Sequence, residues 1–173
     1  MKRTVSFLLL ICSSLFLFSC TLFPVSNVYS DHEKCDKLME KLSLSLTNND
    51  FTCAKTFFSP ILYDMDGFAS DLQSLIDYFD GDVDTIKGRV DSGEYSNYDY
   101  EEKHHCLEYT IITNVDTFRF SLNYIEKDSR DKNNVGIKSL YVLKLSEDEF
   151  PDDRYTGDIE SIDGIHVAFP HVI

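Results

Sequence analysis

The chain has 173 residues, 30 of them Asp or Glu against 16 Lys or Arg, and a formal net charge of −14. A polyanion is bound by clustered Lys and Arg that displace its counterions, and here the bases are scattered among more numerous acids, which excludes nucleic acid as a partner. Gly-rich phosphate loops, Gly-x-Ser-x-Gly elbows, His-Glu-x-x-His runs and Cys-x-x-Cys pairs are all missing from the sequence, so no standard catalytic signature is present.

In chain order, Lys2 and Arg3 precede an apolar run, Val5 to Phe18, that stops at Leu17-Phe18-Ser19-Cys20. A basic start, about fourteen apolar residues and a small residue before a cysteine suit export followed by lipid attachment. Residues 1–19 are therefore expected to be a lipoprotein signal peptide. Residues 20–30 would be the lipidated Cys20, carrying palmitate-type chains, and a tether; residues 31–173 would form one domain on the extracytoplasmic face of the cell membrane. Loss of Lys2 and Arg3 with the signal would leave 30 acids against 14 bases. The rival reading extends the run through Leu22, Phe23 and Val25 to the roughly twenty residues of a spanning helix. Ser13, Ser14 and Ser19 dilute that run, and Pro24 breaks it. Once Cys12 and Cys20 are accounted for, Cys35, Cys53 and Cys106 form an odd set that reads as buried thiols, not as a disulfide framework.

Ser30 or Asp31 can cap a helix whose apolar positions Cys35, Leu38, Met39, Leu42 and Leu46 follow helical spacing. After Asn48-Asn49, Asp50 can cap a second helix reaching Phe58, which Pro60 ends. Phe68, Leu72, Leu75, Ile76 and Phe79 write a third helix, closed by Asp80-Gly81. From Val83 the period becomes two: a strand to Val90, a polar stretch Asp91 to Lys103 that reads as a long turn or irregular hairpin, then strands Cys106 to Thr113, Thr117 to Glu126 and Val135 to Leu145. The last has apolar residues on both faces, as a doubly covered strand does. Ile162, Ile165 and Val167 could add a short edge strand within an acidic tail. The expected fold class is α+β, three N-terminal helices on one side of an antiparallel sheet of about four strands.

This order of elements resembles the NTF2-like, or cystatin-like, class, in which a bent sheet wraps a long first helix into a cone. Three blocks sharpen the resemblance: Leu75-Ile76-Asp77-Tyr78-Phe79-Asp80-Gly81, Asp116-Thr117-Phe118-Arg119-Phe120-Ser121, and Asn134-Val135-Gly136-Ile137-Lys138-Ser139-Leu140-Tyr141-Val142. Behind a lipoprotein signal, they look like a family of bacterial lipoproteins known as a domain of unknown function, number 5104 in its series, over roughly Asp31 to Val167. The family's endings tend to contain tryptophan; this chain has no Trp and carries Asp153-Arg154-Tyr155-Thr156-Gly157-Asp158-Ile159 there. The resemblance implies fold and anchoring and brings no activity or functional residues with it.

A cone mouth would be lined by rings drawn from Tyr63, Tyr78, Tyr109, Phe118, Phe120, Tyr124 and Tyr141, although the same rings could simply fill the core. The weak metal candidate is Asp80, Asp82, Asp84 and Asp91, spaced like the first, third, fifth and twelfth ligands of a Ca²⁺ loop, but with Thr85 where the loop needs Gly. The other reading of these acids is a helix stop and polar turn. His104 and His105 are strand neighbours that point to opposite faces, so one ion cannot easily take both. His166 and His171 lie near Asp158 and Asp163 without a ligand spacing. No cofactor is indicated. The primary functional expectation is a lipid-anchored, non-catalytic module binding a small ligand or another envelope protein. The alternatives are a hydratase- or isomerase-like enzyme using Asp77, Glu108 or a histidine in the cone, and a calcium-dependent surface module.

Overall fold

Apolar residues at helical spacing bury one side of helix α1, Ser26–Thr47, where Cys35, Met39, Leu42 and Leu46 are at most 1% exposed. The protein's structure, a computed structural model, describes residues 26–97, 99–147 and 162–168. Two units, Met1–Ser30 and Asp31–Ile173, divide the chain, and the fold below belongs to the second. Residues 1–19, read as a leader from the sequence, Cys20 and residues 153–159 lie outside the described residues. Among those described, no helix is long and apolar enough to cross a membrane.

α1 begins before the expected cap. Asp31 sits inside the helix with its carboxylate 2.5 Å from Lys103 Nζ, so it serves the tertiary structure and not the helix end. The cap at Asp50 is present: its side chain accepts from the Cys53 N–H at 2.9 Å and opens α2, Phe51–Lys55. α2 stops short of Phe58 because the following residues pair elsewhere. Ile137 N–H donates to the Phe57 carbonyl at 2.9 Å and Ser59 N–H to the Ile137 carbonyl at 3.0 Å. Gly136 has φ +128, and a Cβ there would lie 2.6 Å from the Ser59 nitrogen, so only glycine permits this approach. Pro60 opens a single 3₁₀ turn, Pro60–Asp64, before α3, Phe68–Tyr78.

Among the described residues five strands follow against about four expected, the fifth where a short edge strand was readable: β1, Val83–Asn97; β2, Tyr100–Thr113; β3, Thr117–Asp128; β4, Gly136–Lys144; and β5, Gly164–Val167. They form one open sheet in sequence order. Each of the first four is antiparallel to its neighbours among them, and β5 joins β4 in parallel. The polar stretch Asp91 to Lys103 is not a turn. β1 and β2 continue through it, with Ser92 opposite His105, Glu94 opposite Lys103 and Asn97 opposite Tyr100. The alternation persists there with polar residues in place of apolar ones.

The core lies between the helices and one face of the sheet. Leu107, Tyr109 and Ile111 of β2, Phe118, Phe120 and Leu122 of β3, and Leu140 and Val142 of β4 join the buried residues of α1 and α3. Phe79, just after α3, packs on Phe118 and Phe120 with ring centroids 4.7 and 5.8 Å away. Tyr109 lies flat over its β1 partner, Gly88, and its hydroxyl donates to Asp36 Oδ1 of α1 at 2.7 Å. A Cβ on Gly88 would sit 2.2 Å from the Tyr109 ring. Gly88→Ala is therefore expected to displace the ring, break its bond to Asp36 and cost about 2 kcal/mol in chemical denaturation. Combined with Tyr109→Ala, it should cost almost nothing further.

Candidate functional site

At the end of the sheet where β1 and β2 turn polar, side chains from three strands and α1 form one connected cluster. The register puts Glu94, Ser92, Lys103, His105 and Tyr124 on the helix-facing side, and Glu126, the extra residue where the β2–β3 register shifts, is drawn to it by its partners. His105 is 1% exposed. Its Nδ1 is 2.7 Å from Ser92 Oγ, and its Nε2 is 2.9 Å from Glu126 Oε2. Tyr124 stacks beside the imidazole at 5.8 Å. From α1, Lys34 pairs with Glu126. Lys103 bridges Asp31 and Glu126 at 2.5 and 3.2 Å and approaches Glu94 at 3.6 Å.

Burial pushes the Glu126 carboxyl up, but hydrogen bonds from Lys34, His105 and Lys103 outweigh it and hold the group at about 2. Burial likewise works against the Lys103 ammonium, which the two carboxylates nonetheless hold above its ordinary value. Glu126 is therefore an ionised acceptor, and the His105 proton on its side belongs to Nε2. In the neutral ring Nδ1 is then the lone-pair nitrogen, and the Ser92 hydroxyl donates to it. Cys35, beneath the cluster, is pushed up to about 12 by burial and by Glu126, Asp31 and Asp36, which leaves it an unreactive thiol. Of the three thiols Cys35 is buried, while Cys53 is exposed and Cys106 half-buried, contrary to the expectation of three buried thiols.

The seven aromatic residues named from the sequence are spread over the fold. Tyr109, Phe118 and Phe120 are core residues at most 1% exposed. Tyr124 flanks the polar cluster. Tyr63 packs on Phe68 and donates to the Lys55 carbonyl at 2.9 Å. Tyr78 donates to Glu147 Oε2 at 2.7 Å and accepts from the Lys144 N–H. Tyr141 lies on the other face of the sheet, stacked on His166 at 4.3 Å. Two grooves are open instead. One, of about 430 Å³ between α3 and β5, has walls from Met65, Phe68, Ile165 and Val167 with carboxylates from Asp66, Asp71 and Asp163. The other, of about 490 Å³, lies beside Asp77, Phe79, Asp80, Asp82 and Asn114. None of the seven rings lines either groove.

Asp80 and Asp82 border the second groove, but Asp84 and Asp91 stand seven residues apart on β1, roughly 23 Å along a strand. Asp91 is paired with Arg89 at 2.8 Å. The four do not converge, and among the described residues no group of three or more His, Cys, Asp or Glu side chains could hold a metal ion. Asp77 is on the exposed side of α3, accepting from Gln73 at 2.8 Å. Glu108 points to the sheet face opposite Tyr109, away from the helices. His104 and His105 do point to opposite faces, the first exposed and the second buried. His171 lies outside the described residues. Sequence reasoning missed Asp31, Lys34, Ser92, Lys103 and Glu126. The available signal was alternation of polar residues through Ser92-Gly93-Glu94 and Lys103-His104-His105, a strand pattern written in charge.

No curated protein matches the chain. The model of one family, described as a domain of unknown function, matches residues 44–145, from the last turn of α1 to just past β4. That span carries Ser92, Lys103, His105 and Glu126 and covers more than half of the 173 residues. The chain belongs to this domain-of-unknown-function family, DUF5104.

Proposed function

We propose that the protein is an NTF2-like domain, lipid-anchored through Cys20 to the extracytoplasmic face of the cell membrane, that binds a small ligand or another envelope protein on its surface. The observation that carries this reading is the packed interior: Tyr109, Phe118 and Phe120, the rings that would line an internal pocket, are at most 1% exposed. A substrate has no room among them, and recognition then falls to outer surfaces. The groove between α3 and β5 fits that role, because it combines apolar walls with three carboxylates. Met65 on its wall and Ile162 beside it are exposed apolar residues. The three helices and the sheet meander support the NTF2-like reading, with β5 as an added edge strand. Acyl chains contribute about 0.8 kcal/mol per buried CH₂, so two or more on Cys20 would hold an acidic domain at the membrane without a spanning helix.

The test is made in the producing cells with a photo-crosslinking residue at position 65 or, as a control elsewhere on the surface, at the exposed Leu44. A labelled fatty acid should enter the wild type, Cys20→Ser should move the protein from the membrane to the soluble fraction, and position 65 should give a discrete adduct that position 44 does not. Unlabelled wild-type protein would remove the anchor. Equal adducts at both positions would remove the groove.

A further inference from the structure

We infer that Ser92 is a base-activated nucleophile that accepts an acyl group from a carboxylic ester, with His105 as its general base and Glu126 as the residue that positions the base. This goes beyond the surface-binding reading and does not depend on it. Three observations carry it together. The hydroxyl, the imidazole and the carboxylate are joined in one line, at 2.7 Å between Ser92 Oγ and His105 Nδ1 and at 2.9 Å between His105 Nε2 and Glu126 Oε2. That is the nucleophile, base and orienter order that acyl transfer uses, here with the two ring nitrogens exchanged. The base is buried while the nucleophile is exposed. The ring is therefore shielded from water and fixed in one tautomer, and an ester can still reach the oxygen. Finally, Ser92 is on β1, which ends the strand order, so among the described residues no further strand flanks it. A serine that served only to satisfy a buried histidine would need none of this access.

In the step itself, Ser92 Oγ attacks the ester carbonyl carbon and its proton passes to His105 Nδ1. The bond from that carbon to the alcohol oxygen then breaks, the departing oxygen takes the proton from Nδ1, and the acyl group remains on Ser92 as an ester. Water, deprotonated by the same nitrogen, attacks the acyl carbon; the bond from that carbon to Ser92 Oγ then breaks, Oγ takes the proton back from Nδ1, and the carboxylic acid leaves.

The full-length protein is treated with p-nitrophenyl acetate, digested, and the acetylated residues mapped by mass spectrometry. Ser96, exposed on the same strand and opposite Glu101, is the internal control. Acetyl is expected on Ser92 at least about 10²-fold faster than on Ser96, the range of a positioned general base, and His105→Gln should bring the two rates together. Ser92→Ala, an exposed substitution that leaves the fold in place, should abolish the burst of p-nitrophenol. If His105→Gln does not fold, Glu126→Gln supplies the readout. Without the carboxylate that keeps the proton on Nε2, the pH profile of Ser92 acetylation should shift, whereas a merely structural contact would lower the yield equally at every pH. Acetylation of Ser92 no faster than Ser96, or a burst unchanged in Ser92→Ala, overturns the assignment.

Discussion

Replacing Lys103 with methionine should lower the unfolding free energy by about 3–5 kcal/mol, as expected when one partner of a buried ion pair is removed. The Lys103 side chain is 14% exposed and its closest partner, Asp31, 8%, so neither charge has much water to fall back on. With the ammonium gone, the nearest cation to Asp31 is Lys34 at 4.0 Å, which is already engaged by Glu126. Glu126 itself keeps Lys34 and His105, so the cost is concentrated on Asp31. Adding Asp31→Leu to Lys103→Met removes the stranded charge, and the double variant should recover much of the loss, a strongly non-additive cycle. Lys127→Met is the control. Lys127 is also paired, with Glu101, but the lysine side chain is 58% exposed and its loss should cost at most about 1 kcal/mol. Urea denaturation of Lys103→Met, Asp31→Leu, their double variant and Lys127→Met decides the matter. A Lys103→Met effect no larger than that of Lys127→Met would mean the cluster is solvated in solution.

The same cluster explains which parts of the fold were legible in the sequence. Helical spacing in α1 and α3 and the alternation of Phe118, Phe120 and Leu122 point directly at buried faces, because each apolar side chain there has one place to go. The cap at Asp50 was equally readable, since an acid before a short helix has a local partner in Cys53. Asp31 was misread by the same rule. An acid near a helix start suits a cap, and nothing local reveals that its partner is Lys103, 72 residues along the chain. Asp91 to Lys103 reads as a turn for a related reason: it lacks apolar alternation, while Ser92, Glu94, Lys103 and His105 share the helix-facing side as partners of one another, Ser92 and Glu94 at its exposed edge. Inward polar residues are affordable only when each finds a partner across the sheet or on α1, and those partners come from separate elements. The aromatic residues carried the opposite ambiguity. Rings at alternate positions suit a pocket wall and a core equally well, and it is the closeness of Phe79 to Phe118 and Phe120 that makes them core.

Acidification should cost the fold about 3 kcal/mol through Glu126 alone, all of it lost between about pH 4.5 and pH 2. The carboxyl titrates near 4.5 in the unfolded chain and at about 2 in the folded one. The unfolded state therefore binds the proton first as pH falls, and stability rises with pH through that interval. The contribution is fully present above about 4.5 and disappears as the folded carboxyl itself becomes protonated. Every group facing Glu126 bears on this: Lys34, Asp31 and Cys35 from α1, Lys103 and His105 from β2, Glu94 and Ser92 from β1, and Tyr124 on its own strand. The cations among them bind the carboxylate, and the neighbouring acids draw on the same lysines. Glu126→Gln removes this titration, so the fall in denaturation midpoint below about pH 4.5 should become shallower than in the wild type. It should not vanish. Glu33, Glu101 and Asp128 are held low by Lys37, Lys127 and the Asn134 amide in turn, and Asp116, despite its burial, by Ser146 and the Thr117 N–H. Wild-type and Glu126→Gln curves with the same acid slope would show that the two lysines and His105 do not hold Glu126 in solution. The line from Ser92 through His105 would then lose the carboxylate that fixes its proton.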